Sequence, residues 1–160
     1  MGRSPDILVI GVGNAWAGDD AAGLLVLRVL RGRAPAGLCV VEHEGEPTAL
    51  IDMWAGARLA VVVDATSGGG EAGEVRVMDA TREPLPAGFT GTSTHALGLA
   101  EAIELARALG RLPARLVVVG IEGERFEAGA APGAAVTGAL GRAVDAVLAL
   151  AGTAGAHRAE

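Results

Sequence analysis

Aromatic residues are almost missing from this chain of 160 residues: Trp16, Trp54, Phe89 and Phe126 are the whole set, and there is no tyrosine. Single-stranded nucleic acid is held on stacked rings, so that class of function is excluded. Cysteine is equally scarce. The lone Cys39 allows no intramolecular disulfide, and a cytoplasmic protein is expected. Set inside an apolar strand, Cys39 reads as a buried inert thiol rather than a nucleophile. Positive charge is in the minority, with 13 Lys+Arg against 19 Asp+Glu and a formal net charge of −6. No basic run exceeds the Arg31 and Arg33 pair, so a duplex-binding footprint is missing too. The apolar run Ile7–Ile10 is too short for a signal core, and no run approaches a membrane-spanning length. Asp6 stands where a myristoylation signal needs Ser or Thr. Neither export nor a membrane is expected.

What the chain does have is apolar content: 51% hydrophobic against 20% charged residues, enough to bury a core in one domain. Short, β-branched apolar runs alternate with helical stretches, which is how strands buried on both faces read. Strands are expected at Ile7–Gly11, Leu38–Glu42, Arg58–Asp64 and Arg115–Gly120. Helices are expected at Asp20–Arg31, Ala49–Trp54 with Pro47 just ahead, His95–Leu109 and Gly133–Leu150. Glu74–Met78 alternates polar with apolar and is expected as an antiparallel or edge strand. Gly152–Glu160 reads as a frayed tail. The fold class is therefore α/β: a three-layer domain, a mostly parallel sheet with that one exception, and helices on both faces.

Gly11-Val12-Gly13-Asn14, between a strand and a helix, invites a dinucleotide reading, with Glu42 placed as the ribose-binding acid. The third glycine, Gly18, comes too late for that fingerprint, and Asp19 and Asp20 would repel a pyrophosphate at the helix N-terminus. One of these carboxylates is expected to cap the helix, a role assigned to Asp19. Asp20 then lies at the mouth of the crevice above the first strand. Asp64 closes the apolar run Val61–Val63 at the sheet's carboxyl edge, where open α/β folds place ligands, although an Asp there also bonds the following turn. Ser93-Thr94-His95 precedes a helix, where a neutral imidazole suits the dipole better than a cation. Asp20, Asp64 and His95 thus fall at one end of their elements. Together they offer two carboxylates and one imidazole, a loose three-ligand metal site with open positions. Other candidates fail on spacing. His43-Glu44-Gly45-Glu46-Pro47 has proline where a zincin's second histidine belongs, Ser67 sits among glycines without a G-x-S-x-G elbow, and His157 belongs to the tail.

The ordered set of motifs resembles the hydrogenase maturation endopeptidases, which trim the C-terminus of the large subunit of nickel-iron hydrogenases. Ile7–Asp20 is similar to their opening strand and G-x-G-N loop ending in D-D or D-E. Val63-Asp64-Ala65, Ser93-Thr94-His95 with Gly98-Leu99, and Val119-Gly120-Ile121-Glu122 resemble the later motifs, and the likeness spans about residues 7 to 150. It implies an α/β domain with a mixed sheet and metal ligands at Asp20, Asp64 and His95. The implied partner is the precursor of a nickel-iron hydrogenase large subunit that already carries nickel. Zinc or cadmium could occupy the same ligands. The sequence departs from the pattern at Ala21-Ala22, where glycine often follows the acids, and at Glu44–Thr48, where a G-G-T or G-G-S turn is usual. A non-catalytic, metal-dependent binding or chaperone module is the alternative that the same residues allow.

Overall fold

Continuous Val/Ile/Leu runs form the interior of a five-stranded sheet. Its strands are β1 (Ile7–Val12), β2 (Leu38–His43), β3 (Leu59–Thr66), β4 (Val75–Asp79) and β5 (Arg115–Glu122). The computed structural model describes residues 5–86, 89 and 98–156. Strand order is β2-β1-β3-β5-β4. β1 runs parallel to β2 and β3, β3 runs parallel to β5, and β4 pairs antiparallel with β5 at the edge. The alternating strand is therefore the antiparallel edge strand that its pattern predicts. β2 closes the opposite edge, which leaves Cys39 half-buried rather than buried.

Side-chain alternation divides the core into two layers. Val9, Val61, Val63, Val117 and Val119 pack under α1 (Ala22–Arg31) and α4 (Ala134–Ala156). Leu8, Ile10, Ala60, Val62, Leu116 and Val118 pack under α2 (Pro47–Trp54) and α3 (Leu99–Ala108). This is the expected three-layer α/β architecture. Pro47 occupies the first turn of α2, and Glu46 caps it by accepting bonds from the Thr48 and Ala49 N–H groups at 2.9 and 2.7 Å.

Five sequence expectations need correction. The first helical turn is a separate 3-10 turn, Gly18–Ala21, ahead of α1. β3 and β5 both continue past their expected ends because Thr66 pairs with Glu122, and the Thr66 hydroxyl donates to the Glu122 Oε2 at 2.7 Å. α3 is Leu99–Ala108 with an extended Gly98 at its N-cap position, later than the expected start at His95, which lies outside the described residues. α4 continues through Ala156 rather than fraying at Gly152, since Ala151 and Ala154 are buried and the Arg58 Nη1 donates to the Ala154 carbonyl at 2.6 Å. At 23 residues α4 is also long and apolar enough to cross a bilayer, contrary to the sequence expectation. It serves here as a core helix, with Val136, Ala139, Ala143, Val144 and Val147 buried against the sheet.

Candidate functional site

The connection from β1 leads out to β2 on one side, while the chain returns to β3 on the other, so the carboxyl ends of β1 and β3 flank a topological switch point. Open α/β sheets bind ligands at such crevices. Gly11 is in register with Val63, which brings Asp64 to the level of the loop leaving β1. Asp20 lies in the 3-10 turn on that loop. Both aspartates are half-buried. Burial pushes the Asp64 carboxyl well above the usual carboxylate range, the neighbouring Asp20 charge pushes it further, and the bond from the Ala65 N–H to Oδ1 at 2.8 Å opposes them. Two of the three residues singled out for metal binding are thus brought together. His95, with Ser93 and Thr94, lies outside the described residues, as does His157.

Glycines make the approach of the 3-10 turn possible. A Cβ on Gly13 would stand 2.1 Å from the Asp20 carbonyl oxygen, and one on Gly23 would stand 2.3 Å from the Val63 oxygen and 2.4 Å from the Val12 oxygen. The glycine pattern that suggests a dinucleotide therefore serves backbone-to-backbone packing, and the Asn14 N–H donates to the Asp20 carbonyl at 3.2 Å.

Asp19 does not cap its own helix, which has no side-chain cap. Its fully buried carboxylate reaches across to the β5–α4 loop. It accepts from the Glu124 and Arg125 N–H groups at 2.8 and 3.0 Å, and from the Gly133 N–H at 2.7 Å just before α4. Burial alone would raise this carboxyl, yet the three backbone donors and the Arg125 charge outweigh it and hold it below the ordinary value. The capping carboxylate thus serves another segment, and it locks the turn that presents Asp20.

The model of the family described as hydrogenase maturation protease matches residues 31–150. The chain belongs to the hydrogenase maturation protease family. Among curated relatives, the hydrogenase expression/formation protein HupM of Azotobacter chroococcum is 28% identical over 128 residues, 79% of this chain and 61% of that one. HoxM of Azotobacter vinelandii is 26% identical, over 78% and 61%. The chain spans about three fifths of the length of these relatives. The structure of the hydrogenase maturating endopeptidase HybD from E. coli superimposes with a TM-score of 0.77 at 28% identity, covering 90% of each chain. That of the [NiFe] hydrogenase maturation protease HybD from Thermococcus kodakarensis gives 0.71 at 26%, over 90% of this chain and 97% of that one.

In this hydrogenase maturation protease fold, the last residue of the Val119-Gly120-Ile121-Glu122 motif has a role that the sequence did not assign. Glu122 is buried at 2% exposure and takes the Thr66 hydroxyl together with the Gly68 and Gly69 N–H groups at 3.2 and 3.0 Å. It also pairs with the Arg76 Nη2 at 3.6 Å, and the Arg76 guanidinium lies 4.9 Å from the centre of the Phe89 ring. This network pins the turn that follows Asp64. The signal available was an acid closing an apolar strand, the same pattern that marks Asp64. Glu42, the acid placed for ribose binding, instead pairs with Arg31 and Arg28 at 3.2 and 3.9 Å. His43 ends β2, with its Nδ1 accepting from the Gly45 N–H at 2.8 Å. Burial holds its imidazole below the ordinary value, against the opposing charges of Glu46 and Glu44.

Proposed function

We propose that this protein is an endopeptidase that removes the C-terminal peptide of a nickel-loaded precursor of a nickel-iron hydrogenase large subunit. It would recognise the inserted nickel through Asp20, Asp64 and His95. The observation that carries this reading is the convergence of Asp20 and Asp64 at the switch point of a chain that belongs to the maturation protease family. Two carboxylates that repel one another are a donor set suited to a cation, and oxygen donors with a single imidazole suit nickel, zinc or cadmium at modest affinity. The nickel is part of the substrate, so the protein need only read it, and thiolates of the precursor would complete the shell.

Within that site the chain's own groups have separable tasks. Asp64 must lose its proton to engage a cation, and the nearby Asp20 charge makes the two carboxylates act as one unit. Asp19 and the Glu122 network keep the two acid-bearing segments in place. The reaction is hydrolysis: the scissile C–N bond breaks, water supplies the new carboxylate oxygen, and the amine leaves with the peptide.

The test incubates Asp64→Asn, His95→Ala and the unaltered protein with a nickel-loaded precursor and weighs the product by mass spectrometry. Trimming by the unaltered protein, and its loss by at least 100-fold in both variants, is expected for removal of groups that touch the metal. Normal trimming by both variants would refute these roles. Binding without any mass change would show a binding or chaperone module instead.

A further inference from the structure

The loop leaving β1 and the loop between β2 and α2 enclose an open cavity of about 770 Å³. Its floor includes Gly13, Asn14 and Leu24, and its rim carries Trp16, Glu44 and Glu46. This volume is in the range of specific ligand sites. Among the described residues no Lys or Arg lines it. The Trp16 indole is 80% exposed, in a chain with only two tryptophans, while Trp54 is fully buried. An exposed indole of this kind costs solubility unless something covers it, and indoles anchor protein contacts more often than most side chains.

Among the described residues the charges on the rim are of one sign. Glu42 is compensated by Arg28 and Arg31, whereas Glu44 and Glu46 are exposed, and the Glu46 oxygens, each accepting one N–H at the start of α2, keep further lone pairs for a cation. His43, whose Nδ1 accepts from the Gly45 N–H, holds the loop between them without adding a positive charge. The cavity also lies at the carboxyl end of β2, which has a single partner strand among the described residues. An extended segment can pair along such an edge, which favours a peptide over a compact small molecule.

We propose that this cavity is a docking subsite for an extended segment of the precursor, with a cationic side chain between Glu44 and Glu46 and an apolar neighbour on the Trp16 indole. The assignment rests on the processing function above. The Gly13–Trp16 loop that lines the cavity also leads to the 3-10 turn that carries Asp20, so a segment seated here would contact the loop from which Asp20 is presented.

The two tryptophans supply a built-in probe. Blocked hexapeptides carrying one arginine beside one leucine would be titrated into the full protein, with citrulline and glutamate analogues as controls. The arginine peptide is expected to shift the exposed-tryptophan emission to the blue and to bind about ten-fold more tightly than the citrulline analogue, as an arginine–carboxylate contact requires. Calorimetry on Trp16→Ala and Glu44→Gln is expected to show affinity for it lowered by roughly ten-fold and three-fold. Equal binding of the arginine and citrulline peptides, or saturation without an emission shift, would overturn the subsite. An intact peptide response in a protein that trims no nickel-loaded precursor overturns the protease reading and retains the cleft. Trimming with no peptide response, and an unchanged KM in both variants, overturns the cleft alone.

Discussion

Asp64 shows how one carboxyl can work against stability. Its folded-state affinity for a proton is raised by burial and by Asp20, so its stabilising contribution is complete below the ordinary carboxylate range and is lost as pH rises through the folded value. At neutral pH the Asp64 carboxyl is therefore a net cost. Asparagine keeps an oxygen for the Ala65 N–H and removes the charge. Metal-free Asp64→Asn is expected to be more stable at pH 7 by on the order of 1 kcal/mol, about 2–4 °C in Tm, with the gain fading towards pH 4. A lower Tm at neutral pH would make the carboxylate structural. Asp19 has the opposite sign. Its carboxyl is held low, so its contribution is present above the ordinary range and lost as pH falls through the folded value. Asp19→Ala strands three backbone donors and is expected to cost about 3 kcal/mol at pH 7, with the difference shrinking in acid. Denaturant melts at both pH values check this. Sequence spacing marked both residues, but capping propensity is local, and the loop that Asp19 serves is more than a hundred residues away.

At the scale of elements, the strands were legible because each is a short apolar run with a definite partner on both faces, and β4 because its alternation marks an edge. Strand ends were not legible, since the extra two residues of β3 and β5 depend on the Thr66–Glu122 bond between distant segments. Nor was the purpose of the glycines. G-x-G reads as a phosphate loop, yet in space it is a contact surface on which the 3-10 turn rests. Gly13→Ala puts a Cβ into the Asp20 carbonyl, where backbone must move. It is expected to cost about 3 kcal/mol or more and to displace Asp20. Urea unfolding with a precursor-trimming assay would detect both. Trimming that survives with unaltered stability would mean that this packing does not set the site.

At the scale of the whole molecule, the two edges of the sheet have different jobs. The carboxyl edge carries the aspartate pair, while the amino edge is closed by a clamp: Arg58 donates to Asp6 through Nε and Nη2 at 3.0 and 2.9 Å and to the Ala154 carbonyl at 2.6 Å. That clamp explains why Ala151–Ala156 remains helical although Gly152 and Gly155 disfavour helix, since tertiary contact overrides local propensity. Nothing in the alanine- and glycine-rich sequence of this segment announces a partner, so it read as tail. Deleting residues 151–160 is expected to lower stability by roughly 1–3 kcal/mol, through lost burial of Ala151 and Ala154 and the lost bond to Arg58. Arg58→Met is expected to cost less in the truncated protein than in the full chain, because the two changes remove one shared contact. Trimming of a nickel-loaded precursor should persist at low temperature in the truncated protein, as the clamp and the aspartates lie at opposite edges. A truncated protein with unchanged Tm, or additive costs for the two changes, would show that the clamp contributes nothing.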